Sequence, residues 1–301
     1  MAHATGGQSG IDAAAIATVA GNVMGSQVQD VRALTGGISN LTYLVRLSPP
    51  ADPEAVVVRV FADRDRARAE AAALRILNGT NVPAPQLLGH GRISGAGWFV
   101  VSTRLPGRPV ARPNDPSWID GLASTLVAIH AVSRHGRGLA LDPGPARAWI
   151  DEGPSPESPI EQTLWPALER QRDELALGRT ALVHGDFHAG NTHWIGPRLA
   201  GVIDWESARW GPAACDVAYC YMDLTLAAGR RAARQFLGAY VDQAGPAPGF
   251  DAWLLIACMR PLPDPGRWLP SYEGAGWRGL TPSLLRRRLG MLARSLGADA
   301  G

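Results

Sequence analysis

The sequence predicts an α+β fold in two parts, a small sheet-based lobe followed by a larger, mostly helical one. Residues 11–104 read as strands with one main helix, and residues 105–301 read mostly as helix interrupted by loops. Strands first and helices later separate the two kinds of structure, whereas a parallel α/β sheet alternates them. A chain of 301 residues is long enough for two lobes with a shared core.

Residues 1–10 are small and polar and are expected to form a flexible terminus. Residues 34–40 make a turn-rich loop between extended segments. Leu41, Tyr43, Val45 and Leu47 then alternate with Thr42, Leu44 and Arg46, the period of two that marks a strand. A Pro/Asp-rich turn at 48–53 leads to a second strand at 55–61. Arg66 to Leu77 is rich in alanine, leucine and arginine, all good helix formers. Glu70, Leu74 and Leu77 share one face of that helix, and a carboxylate on an apolar face needs a partner. Asn78-Gly79 stops the helix. Trp98 to Ser102 is a further strand, broken by Leu105-Pro106-Gly107.

In the second lobe, Ile119, Leu122, Leu126 and Ile129 recur at helical spacing, with Ser117 and Asp120 as capping candidates. Residues 142–159 read as a Pro/Gly/Ser-rich loop and 163–177 as a helix. Short apolar strands at 181–183 and 199–203 flank a loop rich in polar motif residues. Residues 216–226 and 230–241 read as helices and 260–279 as a Pro/Gly/Trp-rich stretch. Thr281-Pro282 opens a last helix that runs to Leu296.

Composition excludes several classes. With 46% hydrophobic and 19% charged residues the chain is globular. No apolar run approaches the ~20 residues of a membrane helix, and the first residues lack the basic-then-apolar layout of a secretion signal. Three cysteines, Cys215, Cys220 and Cys258, imply no disulfide framework, so a cytoplasmic protein is expected. A net charge of +2 gives no bulk attraction to nucleic acid. All 29 basic residues are arginine. A chain without lysine cannot build a Walker-type phosphate loop or use Schiff-base chemistry, and any cation that grips a phosphate must be arginine.

The densest chemistry lies in His-Gly-Asp-Phe-His-Ala-Gly-Asn (184–191) and Val-Ile-Asp-Trp-Glu (202–206). Phosphoryl transfer needs a carboxylate to receive the acceptor's proton, and an amide plus a carboxylate to hold Mg²⁺ against nucleotide phosphates. Asp186, Asn191 and Asp204 are residues of those types, with Asp204 closing an apolar run at a strand's end. The pattern His-x-Asp-x4-Asn followed by Ile-Asp-x-Glu resembles the aminoglycoside phosphotransferase family of small-molecule kinases. That resemblance implies a protein-kinase-like fold: an antiparallel N-terminal sheet lobe over the nucleotide and a helical C-terminal lobe for catalysis and acceptor binding, divided after residue 104.

The resemblance also implies roles. Asp186 is expected to be the base and His184 to hold the catalytic loop; Asn191 and Asp204 are the expected Mg²⁺ ligands. Gly36, Gly37, Ser39 and Asn40 resemble a nucleotide-covering loop whose glycines let backbone N–H groups approach phosphates. Arg59 matches the phosphate-holding strand lysine, with Glu70 as its ion-pair partner. The backbone of Ser102 and Arg104 is expected to meet the adenine edge. Glu206 reads equally as a second metal contact, a substrate contact or a surface charge. Asp216 reads as a brace for the catalytic loop or as a helix N-cap.

The expected cofactors are ATP, with GTP as the alternative, and Mg²⁺. The expected acceptor is a hydroxyl on a natural product or antibiotic of aminoglycoside, macrolide or basic-peptide type; the alternatives are a primary metabolite (choline, homoserine or a sugar) and an ATP-binding pseudokinase. Asp223, Trp268 and Trp277 are candidate acceptor contacts. Neither nucleic-acid nor membrane partners are expected, and the chain is expected to be a monomer or homodimer. His184, His188 and His193 raise a zinc reading, but their spacings of four and five do not match a His-Glu-x-x-His helix.

Overall fold

The computed structural model describes residues 11–34, 40–134, 138–141, 150, 153–260 and 264–298. Five strands, β1 (Val28–Leu34), β2 (Leu41–Leu47), β3 (Ala55–Phe61), β4 (Leu87–Ile93) and β5 (Gly97–Thr103), form one antiparallel sheet in the order β1-β2-β3-β5-β4. Side chains alternate across a strand, so Val56, Val58 and Val60 face one side of β3 while Val57, Arg59 and Phe61 face the other. Helix α1 (Ala13–Met24) covers the first side, packing Ile16 and Ala20 with Val45, Val56, Val58, Val60 and Val101. Helix α2 (Arg64–Leu77) covers the second. Its Ala71, Leu74 and Leu77 join Phe61 and Val100 in a core that runs on into the helical half. Arg59 thus lies on the sheet face that looks toward α2 and the C-terminal part.

The C-terminal part contains α3 (Pro116–His130), α4 (Pro159–Arg170), α5 (Ala214–Ala227), α6 (Arg230–Ala244), α7 (Phe250–Met259), the short α8 (Leu269–Gly274) and α9 (Pro282–Ala298). Two small ladders sit among them, β6 (Thr180–Val183) with β9 (Arg209–Pro212) and β7 (Thr192–Ile195) with β8 (Arg198–Val202). Every residue of α5 is buried, which makes it the central helix of the lobe. Asp216, Tyr219 and Asp223 lie three and four residues apart and so share one face of it. No helix among the described residues is long and apolar enough to cross a membrane.

The structure corrects the sequence reading in several places, among them the start of α3, which is capped by Asp115, accepting from Ser117 N at 3.0 Å, and not by Ser117 or Asp120. The sheet lobe has two helices rather than one; α1 is announced by Asp12, whose carboxylate caps Ala14 N at 3.0 Å, and by Gly25 in the left-handed conformation. Strand β4 was obscured by two glycines that make room for neighbours: a Cβ on Gly89 would lie 2.8 Å from Val23 and one on Gly91 2.9 Å from the Phe99 ring. The helix expected at 163–177 starts earlier, behind the Ser158 cap, and ends at Arg170 before a 3₁₀ turn at Arg172–Ala176. Helix α7 was not anticipated, and the 260–279 stretch holds α8. Of the expected loop at 142–159, residues 142–149 and 151–152 lie outside the described residues.

If α1 is part of the folded lobe, Ile16→Ala should cost about 2–5 kcal/mol, because a fully buried side chain leaves a cavity beneath the sheet. Denaturant unfolding of the sheet lobe measures it; an unchanged midpoint would mean that α1 does not contribute to the core.

Candidate active site

The loop after β6 is held from below by a buried carboxylate. Asp216 accepts hydrogen bonds from His184 N at 2.6 Å and Gly185 N at 2.8 Å, and His130 Nε2 lies 3.4 Å away. Helix α5 is capped at Ala213 and not by Asp216, so the brace reading describes its contacts and the N-cap reading does not. Burial opposes ionisation of Asp216, but the His130 contact and the His184 amide outweigh it and hold the carboxyl below its ordinary range. Gly185 has φ +81, and a Cβ there would meet Ser207 O at 2.5 Å, so this turn requires glycine. His184 is fully buried. Its Nδ1 accepts from Asp186 N at 3.2 Å while its Nε2 meets Ile203 O at 2.9 Å, which fixes a neutral, Nε2-protonated ring. Burial lowers its pKa in the same sense.

Asp186 emerges from this turn with its side chain 29% exposed. Asn191 Nδ2 donates to its main-chain oxygen at 2.9 Å and lies 3.3 Å from Oδ2. His188 Nε2 is 3.9 Å from Oδ2, and Arg260 Nη2 is 3.2 Å from Oδ1. Burial alone would raise the Asp186 pKa; His188, Arg260 and a Tyr219 hydrogen bond bring it below its usual value. Ile203 N donates to Asn191 O at 2.9 Å, tying the loop to the end of the β7–β8 hairpin. There Asp204 takes φ 70, the one non-glycine residue with positive φ among those described. Such a conformation is uncommon outside glycine, with aspartate among the residues that tolerate it.

Above Asp204 stands Arg59. It pairs with Glu70 on α2, with Asp204 Oδ1 at 2.8 Å and with Glu206 at 3.0 Å. Burial opposes its charge, but the three carboxylates raise its pKa further still. Arg66 adds a 3.0 Å contact to Glu206, and Asn40, at the end of the glycine-rich loop, donates to the same carboxylate. Glu206 is buried rather than a surface charge, and burial and the neighbouring Asp204 push its pKa up to about 7. Oxygens of Glu70, Asp204 and Glu206 lie within 4.8 Å of one another. Burial also raises the Glu70 pKa; the oxygens of the three acids are hard donors of the kind that suit Mg²⁺.

Gly36, Gly37 and Ser39 lie outside the described residues. Ser102 is buried in β5, paired with Val57 and Leu87, and Arg104 is exposed just beyond the strand. Asp223 is 2% exposed, accepts from Tyr272 OH at 2.8 Å through Oδ1, and has no partner for Oδ2. Burial raises its pKa. Trp268 packs edge-on against Tyr219, whose ring also meets His188. Trp277 is instead a core residue, 4% exposed against Trp118 and Tyr272. His184 and His188 spend ring nitrogens on their own loop, Nδ1 of His188 accepting from Gly190 N. Among the described residues, the group of His, Cys, Asp and Glu side chains close enough to share an ion is Glu70, Asp204 and Glu206, with no histidine. Tyr219, Arg260, Arg66 and His130 were not anticipated as site neighbours. Only the missing lysine, which forces arginine into every cationic position, pointed toward any of them.

The chain belongs to the phosphotransferase enzyme family, whose model matches residues 30–254. It is 29% identical over 184 residues to viomycin phosphotransferase of Streptomyces vinaceus, a match covering 53% of this chain and 63% of that protein. The match thus spans less than two thirds of that relative. A thermostable mutant of aminoglycoside phosphotransferase APH(4)-Ia, in ternary complex with ADP and hygromycin B, superposes with a TM-score of 0.66 at 18% identity, covering 93% of this chain and 98% of the other. Amicoumacin kinase hAmiN, in complex with AMP-PNP, Ca²⁺ and Ami, gives 0.65 at 12% identity, with 96% and 94% covered.

The brace has a measurable cost of removal. Asp216→Ala leaves two buried amide N–H groups without acceptors and is expected to destabilise the C-terminal lobe by about 2–5 kcal/mol. Chemical denaturation tests this, and a loss below about 0.5 kcal/mol would show that water satisfies the amides.

Proposed function

We propose that this enzyme transfers the γ-phosphate of ATP to a hydroxyl of a natural product or antibiotic. The observation that supports it most is the linkage of three residues: Asn191 contacts Asp186, its main-chain oxygen accepts from Ile203 N next to Asp204, and Asp204 pairs with Arg59. Asp186 accepts the acceptor hydroxyl's proton as the new O–P bond forms and the bond to the β,γ-bridging oxygen breaks, releasing ADP. The Asn191 amide oxygen and the carboxylates of Asp204 and Glu206 would hold Mg²⁺. When bound, the ion offsets charge on the phosphate oxygens. His184 keeps the loop in register.

Arg59 takes the phosphates in exchange for part of its contacts with Asp204 and Glu206, and its planar fork suits them. Asn40 and the glycines before it cover the nucleotide, and the backbone at Ser102 and Arg104 takes the adenine edge. In this reading the lobes divide after residue 104. Nucleotide use is supported by the ADP and AMP-PNP held by fold neighbours.

On the acceptor side, the unpartnered Oδ2 of Asp223 is a buried acceptor that favours a cationic group, with Tyr219 and Trp268 as aromatic walls. The relative named for viomycin and the neighbour bound to hygromycin B support an antibiotic acceptor.

The test incubates the chain with Mg·ATP and either viomycin or hygromycin B, and reads added phosphate by mass spectrometry. Asp186→Ala is expected to lower kcat at least about 100-fold with ATP affinity unchanged within about threefold; full turnover in that variant would overturn the base assignment. Asp223→Asn is expected to raise the acceptor's KM about tenfold and leave that of ATP alone, since a charge-assisted contact is worth about 1.5–3 kcal/mol. An equal change in both constants would place Asp223 outside the acceptor site.

A further inference from the structure

Arg260, the residue that follows α7, belongs to no motif of the sequence, yet two of its donors end on the catalytic loop. Nη1 donates to Gly185 O at 3.0 Å and Nη2 to Asp186 Oδ1 at 3.2 Å. Its guanidinium carbon lies 3.9 Å from the centre of the Tyr219 ring, so the cation is held against an aromatic face while it makes both bonds. Tyr219 is itself buried, 6% exposed, packed edge-on against His188 and Trp268 and hydrogen-bonded to the same carboxylate. We propose that Arg260 is a positioning residue for phosphoryl transfer: it clamps the Gly185–Asp186 segment and one carboxylate oxygen, so that the other oxygen faces the acceptor hydroxyl. The proposal rests on the reading of Asp186 as the base.

The alternative is an ordinary exposed ion pair, which contributes little. Three features separate the two. The clamp has a second prong on the main-chain oxygen of the residue before the base, which an ion pair does not need. Its plane is fixed by Tyr219. And the carboxylate oxygens are unequal: Oδ1 takes Arg260, whereas Oδ2 has the long 3.3 Å contact to Asn191 and His188 at 3.9 Å. Asp186 has a single carbon between backbone and carboxylate, so fixing one oxygen and the adjoining peptide leaves the other little freedom. Transfer requires the reacting atoms about 3–3.5 Å apart, and misplacement by about 1 Å costs on the order of 100-fold in rate. Arginine alone can supply the clamp, since an ammonium has neither the fork nor the flat face.

The experiment times phosphoryl transfer from Mg·ATP to viomycin and to water, using the full chain and its R260A, R260K, D186N and R260A/D186N variants. R260A should lose about 100-fold in kcat with the KM for ATP unchanged within about twofold. R260K should stay about tenfold below the wild type, since it restores charge without geometry. In the D186N background, R260A should change nothing further, because a residue that acts only through Asp186 has nothing left to position. A kcat within twofold of wild type in R260A, full recovery in R260K, a loss expressed in the KM for ATP, or a multiplied loss in the double variant would each overturn the clamp. Full turnover in D186N overturns the base reading instead. A wild-type chain that transfers phosphate to neither acceptor removes the kinase reading and this inference together.

Discussion

The carboxylate of Asp216 is the point on which the site rests. It is fully buried, yet accepts two successive backbone N–H groups and sits beside His130, whose other ring nitrogen meets Tyr240 OH at 2.8 Å. Isolated, a buried charge of this kind would be prohibitively unfavourable; with its lone pairs satisfied by amides and an imidazole it remains ionised. From it a continuous set of bonds runs outward. The two amides set the turn at Gly185, the turn aims Asp186, His184 reaches Ile203 O, and Ile203 N returns to Asn191 O. The proposed base and both candidate metal ligands are therefore linked to one buried acid anchored to α3 and α6.

The cluster around Arg59, the proposed nucleotide side, is organised differently, by acids drawn together around shared arginines. Glu70, Asp204 and Glu206 crowd together and Arg59 and Arg66 pair with them. Arg59 comes from the sheet and Glu70 from α2, while Asp204 and Glu206 come from the helical lobe, so these ion pairs also join the halves. An arginine in this role can bridge several carboxylates at once through its fork, which a single ammonium cannot do as a planar unit. The left-handed backbone of Asp204 belongs to the same arrangement: the residue turns at the strand's end and presents its carboxylate to Arg59 instead of continuing the ladder.

Much of this was legible because it is local. Asp186, Asn191 and Asp204 lie within 19 residues, and the spacing of a loop and a hairpin brings them together whatever the rest of the chain does. Glu70 was legible as a carboxylate on an apolar helix face in want of a partner. What escaped has long sequence separation or no periodic signal. Arg260 is 74 residues from Asp186 and His130 is 86 from Asp216. Helix α1 is mostly alanine, glycine and valine, a pattern with little contrast between faces. Trp277 shows the opposite error, since a Pro/Gly-rich neighbourhood suggested an open loop where a three-tryptophan cluster with Trp118 and Trp194 fills the core.

On the proposed reading, with Asp223 taking the acceptor's cation and Asp186 as the base, helix α5 ties acceptor choice to catalysis. One face carries Asp216 under the loop, Tyr219 against the base and Arg260, and, a turn further on, Asp223 with its unpaired oxygen. Because every residue of this helix is buried, it cannot shift to suit one ligand without disturbing the others. A group seated on Asp223 is therefore measured from the same rigid rod that measures the base. Acceptors whose cation and hydroxyl match that separation meet Asp186 already aligned, and those that do not must bind with the hydroxyl out of reach. Selection by such a site falls on the rate of transfer rather than on binding alone, since a misfitting acceptor can still occupy the cation position without ever approaching the phosphate.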